Sequence, residues 1–200
     1  MDVRGALLQA TTKVFAEFGM RGATTRRIAR AAGVNEVTLF RHFKSKEDLF
    51  QAALETFARR SQTRALPEQP NHPREELVKW CRTQYRDLYK HRALIRKAMG
   101  EHEEHPAHCA RGLEASVRIA EELAAYLTRL KDAKLASGAW DPRAATNMLM
   151  GAIFTDAMGR DTMPERYPYS ARSAVDRYVD LLLLAIGVPP ETTPARGQSA

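Results

Sequence analysis

Two hundred residues suffice for one compact unit, or for a small domain of about 50 residues joined to a larger one. The chain carries 31 Lys and Arg against 24 Asp and Glu, a net charge of +7 that points to an anionic partner, and holds no continuous apolar run long enough to span a membrane. Its two cysteines, Cys81 and Cys109, are too few and too widely spaced for a disulfide framework, so reduced thiols are expected.

The N-terminal stretch MDVRGALLQATTKVF alternates polar and apolar residues at helical spacing and lacks the apolar core and cleavage site of a signal peptide. A cytoplasmic protein is expected. The spacing predicts a first helix from about Asp2 to Phe18, with Leu7, Thr11, Val14, Phe15 and Phe18 on one face.

Thr24 can cap a second helix, whose Ile28, Ala29 and Ala32 share a face. Gly33 permits the left-handed backbone of a tight turn, and Val34 can fold back onto the apolar face just formed. Asn35 caps the next helix, where Leu39 and Phe43 point inward and Glu36, Val37, Thr38, Phe40 and Arg41 lie outside. Two short helices joined by a glycine turn are the layout of a helix-turn-helix, whose outer side enters a major groove. Residues 21–46 hold Arg21, Arg26, Arg27, Arg30, Arg41, Lys44 and Lys46 against the single acid Glu36. Nearly all of the chain's excess charge is therefore in about an eighth of its length, as phosphate binding would use it.

The first 55 or so residues resemble the DNA-binding domain of TetR-family transcription regulators. Phe15, Phe18 and Gly19 close the first helix, Gly22 and Thr24-Thr25 open the second, and Ile28-Ala29 with Ala32-Gly33-Val34 carry it through the turn. Thr38-Leu39-Phe40-Arg41-His42-Phe43 and Lys46-Glu47-Asp48-Leu49 complete the signature. The resemblance covers a little over a quarter of the chain and implies an N-terminal three-helix reading head, a C-terminal helical bundle and a dimer paired through the last two helices. Phe40 departs from it: a tyrosine is usual there, and Phe40 has no hydroxyl for a phosphate.

The candidate DNA-binding set is Thr25, Arg26, Asn35, Glu36, Val37, Thr38, Phe40, Arg41, His42, Lys44 and Lys46. Thr25, Thr38, His42 and Lys46 are assigned to phosphates and Val37 to bases. Glu36 has two readings, an acceptor for a cytosine amino group or a solvated acid at a helix N-terminus.

A fourth helix begins after Ser45, runs over about 46–64 with Leu49, Phe50, Ala53, Leu54 and Phe57 as its buried stripe, and connects the head (1–50) to a second domain (66–190). Three prolines between Leu66 and Pro73 place the boundary near Ala65. Helical runs are expected from about Arg74 to Lys90, Arg92 to His102, Pro106 to Ala136, Asp141 (a cap, with Pro142 at the first position) to Met158, and Ser170 to Ile186, ending at Gly187. That makes an all-α chain of about nine helices, with a disordered tail over 191–200.

The last two helices are apolar around more than one face, which requires burial on several sides. The expected homodimer interface is Met148, Gly151, Ala152, Thr155, Val175, Tyr178, Val179, Leu182, Leu183 and Ile186. Trp80, Tyr85, Leu88, Met99, Leu113, Val117, Tyr126, Met150, Phe154 and Met158 are candidates for the lining of a mostly apolar ligand pocket, although each taken singly reads as bundle core. His102, His105, His108 and Cys109 lack metal-motif spacing, and Pro106 breaks their helix, so a solvated turn is expected, with no metal and no cofactor. With no phosphate loop, nucleophile elbow or dinucleotide fingerprint in the chain, an enzyme is not expected. The function expected is a homodimeric repressor that binds a short palindromic operator and is released by a small, mostly apolar ligand. The alternatives are a ligand-independent architectural protein or activator, and a helical enzyme with an appended head.

Overall fold

The computed structural model describes residues 2–61, 65–101 and 106–189, apart from the side chains of 54, 56–61, 101 and 106–113. The described residues form eight α-helices and a short 3-10 turn: α1 (Val3–Gly22), α2 (Thr25–Ala31), α3 (Glu36–His42), α4 (Lys46–Ser61), α5 (Pro73–Glu101), α6 (Pro106–Asp132), α7 (Pro142–Gly159), the turn Pro164–Arg166 and α8 (Ala171–Ala185). None of these helices is long and apolar enough to cross a membrane.

The caps expected from the sequence all form, which is why the helices start where they do. Thr24 Oγ1 accepts from Arg27 N at 3.2 Å, Asn35 Oδ1 from Thr38 N at 2.8 Å, Ser45 Oγ from Asp48 N at 3.0 Å and Asp141 Oδ1 from Ala144 N at 2.7 Å. Each satisfies a backbone N–H that the helix itself leaves unpaired. At the end of α2, Gly33 takes φ +71°, Gly33 N donates to Arg30 O at 3.1 Å and Val34 N to Ala29 O at 3.0 Å. That closure turns Val34 back onto the head core, where it is half-buried.

Three boundaries differ from expectation: α1, expected to end near Phe18, runs to Gly22 across a break at Gly19, where φ is +67°. The runs expected from Arg74 to Lys90 and from Arg92 to His102 are one 29-residue helix, α5. No Gly or Pro interrupts residues 74–99, so nothing in the backbone ends the helix at Lys90, and the His91 ring lies along it with Nδ1 2.9 Å from Asp87 O. α6 stops at Asp132, four residues before Ala136, because Lys134 takes φ +57° and Leu135 N donates back to Leu130 O at 2.9 Å.

Buried side chains gather into two clusters. Leu7, Val14, Phe15, Ile28, Leu39, Phe43, Leu49 and Phe50 fill the head, with the Phe15 and Phe50 rings 4.4 Å apart. Leu77, Trp80, Tyr85, Leu123, Tyr126, Leu127, Leu149, Ile153, Val175, Val179 and Leu182 fill the bundle. α5 belongs to both: its first half lies in the bundle, while Leu94, only 2% exposed, sits in the head cluster with Ala98 packed against it. Leu54 and Phe57 of the expected α4 stripe lie outside the described side chains, and the expected tail lies outside the described residues.

Two bidentate ion pairs tie α5 to α8: Arg74 Nε and Nη2 reach Asp180 at 2.7 and 3.1 Å, and Arg82 Nε and Nη2 reach Asp176 at 2.9 and 2.5 Å. Deeper in the bundle the Asp156 carboxylate, fully buried, accepts from Tyr85 at 2.9 Å, from Tyr178 at 2.7 Å, and from Arg160 Nε and Nη2, both at 2.7 Å. Burial works to raise the Asp156 carboxyl, but the donations from Arg160, Tyr178 and Tyr85 together outweigh it and hold the group below the usual carboxylate range. The same burial, with the bond to Asp156, pushes the Tyr85 hydroxyl up to about 12.

Candidate nucleic-acid interface

α3 is held by one side and offers the other to solvent. Leu39 is fully buried and Phe43, just past the last turn, is 2% exposed, while Val37 is 78% and Phe40 50% exposed. A valine and a phenylalanine left this open on a seven-residue helix form an apolar edge, the chemistry that contacts a thymine methyl. Arg41, His42 and Lys44 are exposed beside them, with Arg26 exposed on α2. Asn35 is exposed but its side chain is occupied as the cap, and Thr38 is half-buried.

Three polar members of the basic segment are turned to internal duties. Lys46 Nζ donates to the Met20 carbonyl, which pins the start of α4 to the end of α1. Arg27 donates to Gly22 O at 2.7 Å and lies 4.0 Å over the Phe18 ring, so it closes the α1–α2 corner. Thr25 Oγ1 donates to Glu36 Oε1 at 2.7 Å. Neither residue of that last pair was expected to bond the other, since the two stand eleven positions apart and meet only because the Gly33 turn folds α3 across α2.

Residues 7–53 match the family profile described as bacterial regulatory proteins, tetR family. KstR2 of Mycobacterium tuberculosis, an HTH-type transcriptional repressor, is 43% identical over 54 residues, which make up 27% of each chain. A protein of Mesorhizobium loti assigned to the TetR family superposes with a TM-score of 0.74 at 21% identity over 93% of this chain and 97% of its own. Residues 7–53 are thus similar to the DNA-binding head of that family, and the chain as a whole shares the family's fold. SmeT, the repressor of the SmeDEF multidrug efflux pump of Stenotrophomonas maltophilia, shares the fold at a TM-score of 0.72 and 21% identity, covering 95% of this chain and 94% of SmeT. The TetR likeness in sequence is concentrated in the head: the matches span about a quarter to a third of the length of the curated relatives. Beyond it the TetR fold continues on a different set of side chains.

In the bundle, the candidate pocket residues fall into distinct settings. Trp80, Tyr85 and Tyr126 are buried, and their polar tips are taken: Trp80 Nε1 donates to Glu122 at 3.2 Å, Tyr85 to Asp156 at 2.9 Å and Tyr126 to Glu76 at 2.5 Å. Leu88, Met150 and Met158 are half-buried against the same cluster, and Phe154 is half-buried on α7. Met99 and Val117 are 57% and 56% exposed. The Leu113 side chain lies outside those described. A groove of about 600 Å³ runs between α6 and the start of α7, lined by Val117, Ala120, Ala124, Arg143, Thr146 and Asn147 among others; Val117 is the one candidate that reaches it.

The candidate interface set also divides. Val175, Val179, Leu182, Leu183 and Ile186 are between 0 and 6% exposed and pack inside their own bundle, and Tyr178 is committed to Asp156. The apolar side chains that α7 and α8 leave open are Met148 at 68%, Leu181 at 64% and Leu184 at 77%, with Gly151 and Thr155 exposed beside them and Ala152 half-buried. Among the described residues no three His, Cys, Asp or Glu gather as metal ligands; His102 and His105 lie outside the described residues, as do the side chains of His108 and Cys109.

Proposed function

We propose that this chain is a homodimeric transcriptional repressor that reads a short palindromic operator and is released by a small, mostly apolar ligand. The observation that carries the reading is α3, anchored by Leu39 and Phe43 and presenting Val37, Phe40, Arg41 and His42 to solvent. A helix so held fits a major groove, with the exposed cations on its flanks available to phosphates. Residues 1–50 form the reading head, α4 connects it, and 66–190 pair the subunits and sense the ligand. The protein acts in the cytoplasm, where its DNA lies, and performs no catalysis.

Pairing follows from the exposed stripe. Ala144, Met148, Gly151 and Thr155 recur on α7 at spacings of four, three and four, the seam of a helix pair, and Leu181 and Leu184 continue the surface on α8. Apolar side chains this open on adjacent helices call for a cover, and a second copy supplies a self-complementary one. A two-fold pair then presents two α3 helices to two half-sites.

The ligand is proposed to enter among Leu88, Met150, Phe154 and Met158, half-buried side chains that border the tightly packed Trp80, Tyr85 and Tyr126. Flexible thioethers can move aside for an apolar body. A ligand that binds one dimer geometry better shifts the population toward it, and release follows if that geometry spaces the heads wrongly for the operator.

Selection of bound fragments from the source genome tests the reading. One palindrome, bound with an affinity that falls steeply as salt rises, is the expected result. Binding without preference among sequences refutes it.

A further inference from the structure

Thr25 and Glu36 stand on the first turns of α2 and α3, both half-buried, and share a 2.7 Å hydrogen bond in which the threonine hydroxyl donates to Oε1. A hydroxyl has one proton to give. While Glu36 holds it, Thr25 has none for a phosphate oxygen, and an ionised phosphate oxygen has none to return. The phosphate role assigned to Thr25 and the Glu36 bond therefore exclude each other.

The bond's place in the fold decides which role prevails. The far end of α3 is fixed by packing, through Leu39 and Phe43. Its first turn has no such anchor: Asn35 and Val37 are exposed, and the Asn35 cap bond to Thr38 N stays within α3 itself. Among the described residues, the side-chain hydrogen bond joining that first turn to α2 is the one between Thr25 and Glu36. Remove it, and the first turn of α3 is joined to α2 through the Gly33–Val34 turn alone, which leaves the angle of Val37 and Phe40 less closely fixed.

We infer that Glu36 is a positioning residue: it holds the reading helix against α2 at the angle that presents Val37 and Phe40 and does not itself read a base, and Thr25 is its anchor. The inference rests on the DNA-binding reading above. It also assigns Glu36 two effects of opposite sign. The tie favours binding, while a carboxylate in this basic surface repels phosphates and weakens binding to every sequence alike.

Glu36→Gln separates the two, because the Gln amide oxygen still accepts from Thr25 and the charge is gone. It is expected to tighten binding about two- to fivefold at low salt, on all sequences, with the selected site unchanged. Thr25→Val, which breaks the tie and keeps the charge, is expected to weaken operator binding about tenfold; Glu36→Ala, which breaks the tie and also removes the repulsion, weakens it less, and the double variant matches Glu36→Ala. Thr25→Ser, which keeps the hydroxyl, restores binding. Additive losses in the double variant overturn the inference, as does a base preference that changes in Glu36→Gln. The melting temperatures of the same variants, measured without DNA, keep the test separate from the DNA reading: there too the two single changes are expected to be non-additive, and additive shifts overturn the tie. A wild-type protein that selects no site refutes the DNA reading alone.

Discussion

The Asp161 carboxylate, just past the end of α7, accepts from Arg92 Nε on α5 at 2.7 Å. Arg96, one turn further along α5, reaches the same carboxylate and also the Met158 carbonyl, at 3.0 Å from its Nε. Leu94, between the two arginines in sequence, is buried in the head. The last turns of α5 are thus clamped to α7 on one side and packed into the reading head on the other.

The clamp predicts a specific acid response. Bonds from Arg96 and Arg92 lower the Asp161 carboxyl from its ordinary 3.8 to about 2. A folded-state value below the unfolded one contributes stability that is fully present above about pH 4 and disappears as pH falls toward 2. Thermal unfolding of Asp161→Asn is expected to show a lower melting temperature at pH 7 and a shallower decline between pH 4 and pH 2 than wild type. Parallel acid limbs for the two proteins contradict the clamp.

Leu94 carries the second prediction. Leu94→Ala leaves a cavity in the head core at the one buried α5 position of that cluster among the described residues, at a cost of about 2–5 kcal/mol. Because Leu94 belongs to the head cluster and not to that of the bundle, hydrogen exchange is expected to accelerate in the head before the bundle. Equal acceleration in both places Leu94 outside the coupling.

Pairing through the exposed stripe is tested at Leu184, which is 77% exposed and belongs to neither core cluster. Leu184→Glu is expected to give a folded monomer by sedimentation, with unchanged helical content and at least a tenfold loss of operator affinity. Leu183→Glu, at 6% exposure, is expected to unfold the bundle instead. A Leu184→Glu dimer of wild-type strength removes the stripe from the interface.

Phe40 tests the missing hydroxyl. It is half exposed on the open side of α3, so Phe40→Tyr adds a donor at no packing cost. Operator binding is expected to tighten by about tenfold, the low end of what one hydrogen bond to a charged acceptor contributes after desolvation. Equal or weaker affinity shows that the ring does not face a phosphate.

The reading head was legible in the sequence because its determinants are local. Thr24, Asn35 and Ser45 cap within three residues, Gly33 turns within one, and Leu39 and Phe43 mark a face by a spacing of four. Chemistry at short range along the chain needs no knowledge of what lies across it. The Asp156–Arg160 pair went unread, although an acid four residues before a base is a local signal, because Arg160 lies just past the last residue of α7.

Periodicity told that α8 is apolar on two sides and was silent on which side its own bundle covers. Val175, Val179 and Leu183 face inward and Leu181 and Leu184 outward only because α5, α7 and α8 pack in this arrangement. The duties of Lys46, Arg27, Thr25 and Glu36 were hidden for the same reason. Their partners, Met20, Gly22 and each other, lie 5 to 26 positions away, and a side chain's hydrogen bond goes to whatever the fold brings within about 3 Å.

By itself, then, the sequence determined the helices, their caps, the glycine turn and the concentration of positive charge on one small head, all of them properties of neighbours along the chain. Tertiary structure decided which of those charged and polar groups remain available to a partner, and which apolar face stays uncovered. Both depend on contacts between distant segments, and burial or pairing of a group is defined by those contacts alone.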